Sequence, residues 1–486
     1  MSWIVVIGYI VALLVISIFS LEQLYLAILY KKTKRKANAT LELTSYPKVT
    51  VQLPVYNEKY VVKRLIDAVC RLDYPLDQLE IQILDDSTDE TVEIIANKTA
   101  EWQQKGINVQ HIQRPERVGF KAGALAYGTQ KATGEFIAIF DADFLPEPDF
   151  LLKTLAHFSD EIGMVQTRWG HINEDYSILT KMQAFGLNAH FSVEQLGRNS
   201  SGKFMNFNGT AGVWRKTCIE DAGGWQHDTL TEDLDLSYRA QLKGWKFKYL
   251  EDVTSPAELP VLVPAIKSQQ YRWNKGAAET ARKNLGKVIL SKLSAPVKWH
   301  AVLHLLNSSV FLFLVIGAVL SIPMLYIKKG NPDFNLLFNL ASVFIIGFVG
   351  MTVFYWIATK ATAKNFSLTY YIKNFPLFLT FSMGMSLHNA IAVTEGYLGI
   401  KTPFIRTPKF NIVNKSDSWK GNTYLKQKIS FLTILEGFMA AYFAFGVMSA
   451  FVLKDFGLIL FHLMLCLGFA SVFYLSLKKV PNATAE

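Results

Sequence analysis

Glu135-Phe136-Ile137-Ala138-Ile139-Phe140-Asp141-Ala142-Asp143 reads as a short apolar strand that stops on two carboxylates. In an extended backbone alternate side chains share a face, so Asp141 and Asp143 can address one site. Hard oxygen ligands of this kind suit Mg²⁺ or Mn²⁺, which keep several waters and bind diphosphate oxygens as well. Asp-x-Asp alone is a common triplet; its place at the end of a core strand makes it informative.

Working upstream, the same pattern repeats. Val49-Thr50-Val51-Gln52-Leu53 reads as a strand ending at Pro54, and 58–72 has helical periodicity. Ile81-Gln82-Ile83-Leu84 is a strand ending in Asp85-Asp86, followed by a helix from about Thr88 with Ser87 or Thr88 as its cap. Asn108 to Gln113 is a further strand and 119–132 a further helix. Strands alternating with helices predict a parallel sheet covered on both faces, with ligands bound at the carboxyl ends of the strands. Both acid clusters fall there. Asp85-Asp86 can accept hydrogen bonds from the base and ribose of a nucleotide, although acids next to Asp89 and Glu90 also suit a helix start. Neither G-x-G-x-x-G after a strand nor G-x-x-x-x-G-K-[ST] occurs, which argues against dehydrogenase and P-loop chemistry.

Downstream, Thr231-Glu232-Asp233-Leu234-Asp235 opens a helix to about Lys243. Acids are favourable at a helix N-terminus, and one of them could equally accept a proton from an attacking hydroxyl. Gln269-Gln270-Tyr271-Arg272-Trp273 lies on a predicted helix over 262–285, where Gln269, Arg272 and Trp273 share a face. An arginine can clamp a diphosphate and a tryptophan can stack on a sugar ring. Snorkelling Arg and Trp at a membrane interface would use the same residues.

The solvent changes along the chain. Residues 31–290 have the charge content of a soluble α/β protein, whereas 300–478 is a series of apolar runs, and 50% of the 486 residues are hydrophobic. Trp3 to Leu21 is an apolar run long enough to span a bilayer, with no basic residues before it and no small-residue cleavage site, so it reads as an anchor. Runs at 301–327, 334–358, 429–453 and 456–477 are further spans, and the short connectors make two hairpins of them. Lys31, Lys32, Lys34, Arg35 and Lys36 after the first run, with Lys478 and Lys479 after the last, place those flanks in the cytoplasm. The run 376–398 carries His388, Asn389 and Glu395; the positive-inside bias lays it flat on the cytoplasmic interface, giving five spans, with six as the alternative. Glu436 falls inside a span and faces either a cavity or an interhelical partner. The net charge of +10 gathers beside the apolar runs rather than among exposed aromatics, so nucleic acid is not an expected partner. Cys70, Cys218 and Cys466 have no metal-ligand spacing and suit a reducing compartment.

Together these pieces resemble the cellulose synthase superfamily of family 2 glycosyltransferases, and within it the glucomannan 4-β-mannosyltransferases and glucan synthases of the plant cellulose-synthase-like A and C groups. The resemblance rests on Val51-Gln52-Leu53-Pro54-Val55-Tyr56-Asn57-Glu58, Leu84-Asp85-Asp86-Ser87-Thr88-Asp89, Gly119-Phe120-Lys121-Ala122-Gly123-Ala124-Leu125, Phe140-Asp141-Ala142-Asp143-Phe144, Phe207-Asn208-Gly209-Thr210-Ala211-Gly212-Val213-Trp214-Arg215 and Glu232-Asp233-Leu234-Asp235-Leu236, together with Gln-x-x-Arg-Trp before a membrane helix. It implies an α/β GT-A-like nucleotide-sugar-binding domain with a mixed, mostly parallel sheet, plus an α-helical transmembrane region. The implied organisation is an anchor over 1–30, a cytoplasmic catalytic domain over 31–290 and a membrane region with interfacial helix and gating loop over 291–486.

By the same resemblance, Asp233 is the general base. Asp86, Lys121, Asp141, Gln269 and Arg272 bind the nucleotide-sugar, and Asp141 and Asp143 hold Mg²⁺ or Mn²⁺. Phe207, Asn208, Gly209, Thr210 and Trp273 meet the acceptor, and Phe404, Arg406, Thr407 and Lys409 belong to a gating loop. The implied reaction is inverting, processive transfer of mannose from GDP-mannose or glucose from UDP-glucose onto a β-1,4-linked polysaccharide acceptor, which leaves across the bilayer. The membrane would be the cell or inner membrane in a bacterium and the Golgi in a eukaryote. The chain departs from cellulose synthases in having fewer spans before the catalytic motifs and no domain after residue 479, so their mode of regulation is not expected. A ceramide glucosyltransferase-like glycolipid synthase shares some of these motifs, and a silent membrane scaffold is the alternative outside enzymology.

Overall fold

The structure, a computed structural model, describes residues 2–34, 42–330, 344–363, 365–420, 422–424 and 430–477. Arg35, Lys36, Lys364, Lys478, Lys479, the connector residues 331–333 and the start of the predicted run 334–358 lie outside them.

Seven strands form one sheet: β1 (Val49–Val55), β2 (Leu79–Asp85), β3 (Val109–Gln113), β4 (Phe136–Ile139), β5 (Ile162–His171), β6 (Gly212–Arg215) and β7 (Lys246–Ala257), in the order β3-β2-β1-β4-β6-β5-β7. β3, β2, β1 and β4 run parallel; β6 is antiparallel to both β4 and β5, and β5 and β7 pair in parallel. The mixed, mostly parallel sheet is as expected. β4 shows why both faces are buried: Phe136 and Ala138 join the core on one side, Ile137 and Ile139 the core on the other.

The helices around the sheet are α2 (Val62–Val69), α3 (Thr91–Gln104), α4 (Phe120–Lys131), α5 (Phe150–Leu155), α6 (Ile178–Ala189), α7 (Gln195–Ser200), α8 (Lys216–Asp221) and α9 (Glu232–Leu242). A long α10 (Val263–Leu290) and α11 (Ala295–Leu305) lead into the apolar region. There follow α12 (Val310–Gly330), α13 (Ile345–Thr362), α14 (Leu368–Gly384), α15 (Ser386–Leu398), α16 (Phe431–Leu453) and α17 (Ile459–Leu477), while α1 (Ser2–Lys34) opens the chain. Five of the described helices are long and apolar enough to cross a membrane, or up to six if α14 and α15 make one bent span. The chain is integrated in a membrane.

Several local expectations are corrected. Ser87 and Thr88 do not cap α3: the Asn57 amide donates to Ser87 Oγ (2.9 Å), the Thr88 amide donates to Asn57 Oδ1 (2.8 Å), and Asp89 Oδ1 accepts from the Thr91 amide at the helix start (3.0 Å). These bonds tie the loop after β1 to the loop after β2, which a local reading could not foresee. The connector of the first proposed hairpin lies outside the described residues. α12 and α13 both pack on α1, with Gly8 against Leu320 and Gly317 against Ala12 on one side, and Gly347 and Gly350 against Ser17 and Ser20 on the other. Small residues let these helices approach closely where burial of apolar surface adds little. α16 and α17 do form a hairpin. The single helix expected over 376–398 is two helices meeting at 49°, and the first of them starts at Leu368. α14 crosses α17 where Gly384 lies on Gly468, and α15 lies along α10. Finally, α1 runs on through Lys31 and Lys32 and docks on the sheet domain, where Tyr30 donates to Glu251 (3.0 Å).

Candidate active site

One cleft opens at the carboxyl ends of β1, β2, β4 and β7, and its far wall is α10 and residues 404–409. Asp86, Lys121, Asp141, Asp143, Asn208, Gly209, Asp233, Gln269, Arg272, Trp273, Phe404, Arg406, Thr407 and Lys409 all line it. Phe207 and Thr210 do not. Phe207 is buried against Trp214, and Thr210, also fully buried, accepts the Asp141 amide on its hydroxyl (2.9 Å). The Phe-Asn-Gly-Thr segment therefore presents its middle to the cleft and anchors its ends in the core.

The two carboxylates after β4 come together through a turn, closed by the Phe144 amide on the Asp141 carbonyl (3.0 Å), and not through an extended pleat as anticipated. Each faces an ammonium group: Lys121 donates to Asp141 (2.5 Å), and Lys409 donates to Asp143 (2.7 Å) from 266 residues away in sequence. Lys121 also donates to the Gly209 carbonyl (2.8 Å) and lies 3.9 Å from Glu232, so it ties the loop after β4 to the loop before β6 and to the start of α9. Gly209 adopts φ +81°, a backbone conformation that strains any other residue, and a Cβ there would also crowd Asp233 Oδ2 (3.0 Å) and Lys121 Nζ (3.3 Å).

Asp233 sits at the start of α9, where Leu234 donates its amide to Asp233 Oδ1 (2.8 Å). Removal from water inside the cleft, with the adjacent Glu232 carboxylate adding to it, pushes the Asp233 carboxyl up to about 7. A carboxyl poised there can take up a proton near neutrality.

The acid pair after β2 divides its labour. Asp85 is buried and held by His111 (2.8 Å) and the Ser87 amide (2.9 Å). Asp86 reaches the cleft, clamped by the fork of Arg114 at 2.7 and 2.6 Å. Beside it the Arg117 guanidinium lies 3.3 Å from the centre of the Tyr56 ring.

On α10, Gln269, Arg272 and Trp273 face the cleft together, and Arg272 lies over the Phe404 ring (4.9 Å). Residues 404–409 are fastened at several points: Phe404 stacks on Phe120 (5.4 Å), Arg406 pairs with Glu58 (2.5 Å) and Lys409 with Asp143. Burial pushes Glu58 up to about 7 against the pull of Arg406. Glu58, Arg114, Arg117, Trp169 and His171 were given no role from sequence. Glu58 had a signal, since it closes the Leu53-Pro54-Val55-Tyr56-Asn57-Glu58 motif; Trp169 and His171 lie on β5, a strand the periodicity did not reveal.

An acid-lined cleft at the strand ends of a mixed sheet, walled by a helix that leads into apolar helices able to cross a membrane, is the architecture of a membrane-bound glycosyltransferase. A family model described as glycosyltransferase like family 2 matches residues 47–279. Glucomannan 4-beta-mannosyltransferase 2 of Arabidopsis thaliana is 36% identical over 397 residues, covering 78% of this chain and 70% of its own length. Probable glucomannan 4-beta-mannosyltransferase 3 of Oryza sativa subsp. japonica is 41% identical over 360 residues, covering 73% and 63%. The chain belongs to glycosyltransferase family 2. It spans between 46% and 70% of the length of four curated glucomannan 4-beta-mannosyltransferases that it matches, these two among them. Among solved structures, a mannosyltransferase from Pyrobaculum calidifontis, in complex with GDP-Man and Mn²⁺, is similar in fold, with a TM-score of 0.51, 20% identity and coverage of 73% of this chain and 100% of its own.

Proposed function

We propose that this protein is a processive, inverting β-glycosyltransferase that moves mannose from GDP-mannose onto a growing β-1,4-linked polysaccharide and passes the product across the membrane. The observation that carries this reading is the convergence of Asp233, the Asp141/Asp143 pair and the Gln269-Arg272-Trp273 face on one cleft. The named relatives favour mannose over glucose, and UDP-glucose is the competing donor.

Asp141 and Asp143 fit a divalent cation: two carboxylates that line the cleft and whose partners are the flexible tips of lysines, with phosphate and water oxygens able to complete the ligand set. Among the described residues no group of three or more His, Cys, Asp or Glu side chains is placed to hold a metal ion by itself. Bound there, Mg²⁺ or Mn²⁺ would supply charge neutralisation for the departing nucleoside diphosphate. The chain's own residues do the rest. Asp86 and the Arg117–Tyr56 pair meet the nucleoside, and Arg272 and Lys121 face the diphosphate. Trp273 offers an apolar ring to the sugar at the acceptor end. Asp233 accepts the proton of the attacking hydroxyl, so a single displacement turns an α-linked donor into a β-linkage. Residues 404–409 cover the donor, and the spans beyond α10 carry the product outward from a cytoplasmic catalytic domain.

Purified protein in detergent, given radiolabelled GDP-mannose or UDP-glucose with Mn²⁺ or Mg²⁺, should make polymer digested by β-mannanase and not by β-glucanase. Asp233→Asn should lower turnover by about 10²- to 10⁴-fold with folding kept. A single-sugar lipid as the sole product, or full turnover in Asp233→Asn, refutes the proposal.

A further inference from the structure

The helical segment that begins with α6 does not continue regularly into α7. Between them His190–Glu194 forms one π-helical turn. Such turns insert an extra residue and redirect side chains. Here the turn sets two neighbours against residues of the cleft wall: Phe191 stacks on Trp169 (4.5 Å), and His190 Nε2 lies 3.0 Å from Asn208 Nδ2. Trp169 and Asn208 both line the cleft, whereas His190 stands behind them.

The hydrogen bonds around Asn208 allow one arrangement. Gln195 Nε2 donates to the Asn206 carbonyl (3.0 Å), which can only accept, so the same nitrogen must face Asn208 with its second proton. That donation, at 2.5 Å, fixes Oδ1 of Asn208 toward Gln195 and Nδ2 toward His190. His190 Nε2 must therefore be the bare, accepting nitrogen, and Nδ1 carries the proton that it donates to Glu194 (3.0 Å). Glu194 is in turn paired with Arg198 at 3.1 Å, and Arg198 is buried. The Asn208 amide nitrogen on the main chain is also held, donating to Gln166 Oε1 (3.0 Å). With these partners in place, the Asn208 side chain keeps one N–H and one oxygen lone pair uncommitted.

We propose that His190 is a positioning residue for the acceptor. Held in one tautomer by Glu194 and Arg198, it orients the Asn208 side-chain amide so that its remaining donor and acceptor engage adjacent hydroxyls of the sugar at the growing end. This rests on the glycosyl-transfer reading above. A hydroxyl pair is the ligand that such an amide recognises, since it must give one hydrogen bond and take one.

The test uses the full chain in detergent, with a short β-1,4-linked mannan oligosaccharide as acceptor and GDP-mannose as donor. His190→Ala should raise the acceptor KM about tenfold, the worth of one ordered hydrogen bond, and leave the donor KM within about twofold. His190→Gln, whose carbonyl can reach the Nε2 position, should recover most of the loss. Asn208→Ala combined with His190→Ala should cost no more than Asn208→Ala alone, because both remove one contact. Equal changes in donor and acceptor KM, no rescue by His190→Gln, or additive losses in the double variant overturn the inference. Should His190→Ala not fold, His190→Gln decides: acceptor binding within about threefold of wild type supports the role, and a loss as large as that of Asn208→Ala overturns it. Wild-type protein that transfers no sugar to any acceptor refutes the underlying reading instead.

Discussion

Asp233 shows most clearly how surroundings turn an ordinary side chain into a reactive one. Its carboxyl is raised to about 7 from an ordinary 3.8, first by removal from water and then by Glu232. A carboxyl raised on folding contributes stability fully below its unfolded pKa and loses it as pH rises through about 7. Activity runs the other way, because the base must be ionised: kcat/KM should climb through the same range. Glu232→Gln removes the second cause and keeps the first. The acid limb of the kcat/KM profile should move to lower pH yet stay above the ordinary carboxylate range; an unmoved limb refutes the coupling. Most cleft residues were legible at this scale because each sits at a strand end or on one helix face. Phe207 and Thr210 were misplaced because a contiguous motif marks a local shape, and which of its side chains meets ligand depends on the backbone direction within it. Arg114 carried no signal at all: its value lies in meeting Asp86 across a loop.

At the scale of elements, the strands that periodicity revealed are those of the parallel half. β6 has only four residues, and β7 breaks its alternation at the adjacent charges Glu251-Asp252 and carries Pro256, so neither looks like a buried strand until its neighbours are in place. Within the parallel half, β1 and β2 carry a buried polar ladder. Glu80 accepts from the Thr50 hydroxyl (2.6 Å) and from the Thr133 amide (2.9 Å) and hydroxyl (3.0 Å), while Gln52 donates to Gln82 (3.1 Å). Burial alone would raise the Glu80 carboxyl, but these donors hold it below its usual value. Its share of stability is therefore present above the ordinary carboxylate range and lost as pH falls through its depressed pKa. Glu80→Ala strands several buried donors, and should destabilise the sheet domain by about 2–4 kcal/mol. Thermal unfolding followed in detergent would show it, and an unchanged midpoint at neutral pH would count against the ladder.

The whole molecule is held together by contacts between its watery and oily halves. α1 lies between α12 and α13 and reaches the sheet, so an element distant in sequence organises the bundle. Glu436, open to two readings from sequence, has an interhelical partner: Lys267 of α10 donates to it at 2.5 Å and to Ser476 at 2.9 Å. The pair joins the helix that carries Gln269, Arg272 and Trp273 to α16 and α17. Removing one member leaves a buried charge unpaired, at a cost of about 3–5 kcal/mol, whereas replacing both with apolar residues is often near neutral. Glu436→Ala should therefore lower the unfolding midpoint more than Lys267→Met combined with Glu436→Met. The reverse order would mean that the pair is not what joins these helices.

Hydrophobic periodicity, the acids that end apolar strands and the long apolar runs were enough to assign an α/β domain with acids at its strand ends on membrane helices, because each depends on residues near one another in the chain; that the domain takes a nucleotide-sugar was what the motif resemblance implied. Tertiary structure alone decided that α1 parts α12 from α13, that α14 bends at 49° into α15, that Lys409 meets Asp143, and that His190 stands behind Asn208. Those outcomes depend on which surfaces, once formed, can bury or neutralise one another, and distance along the chain places no bound on that.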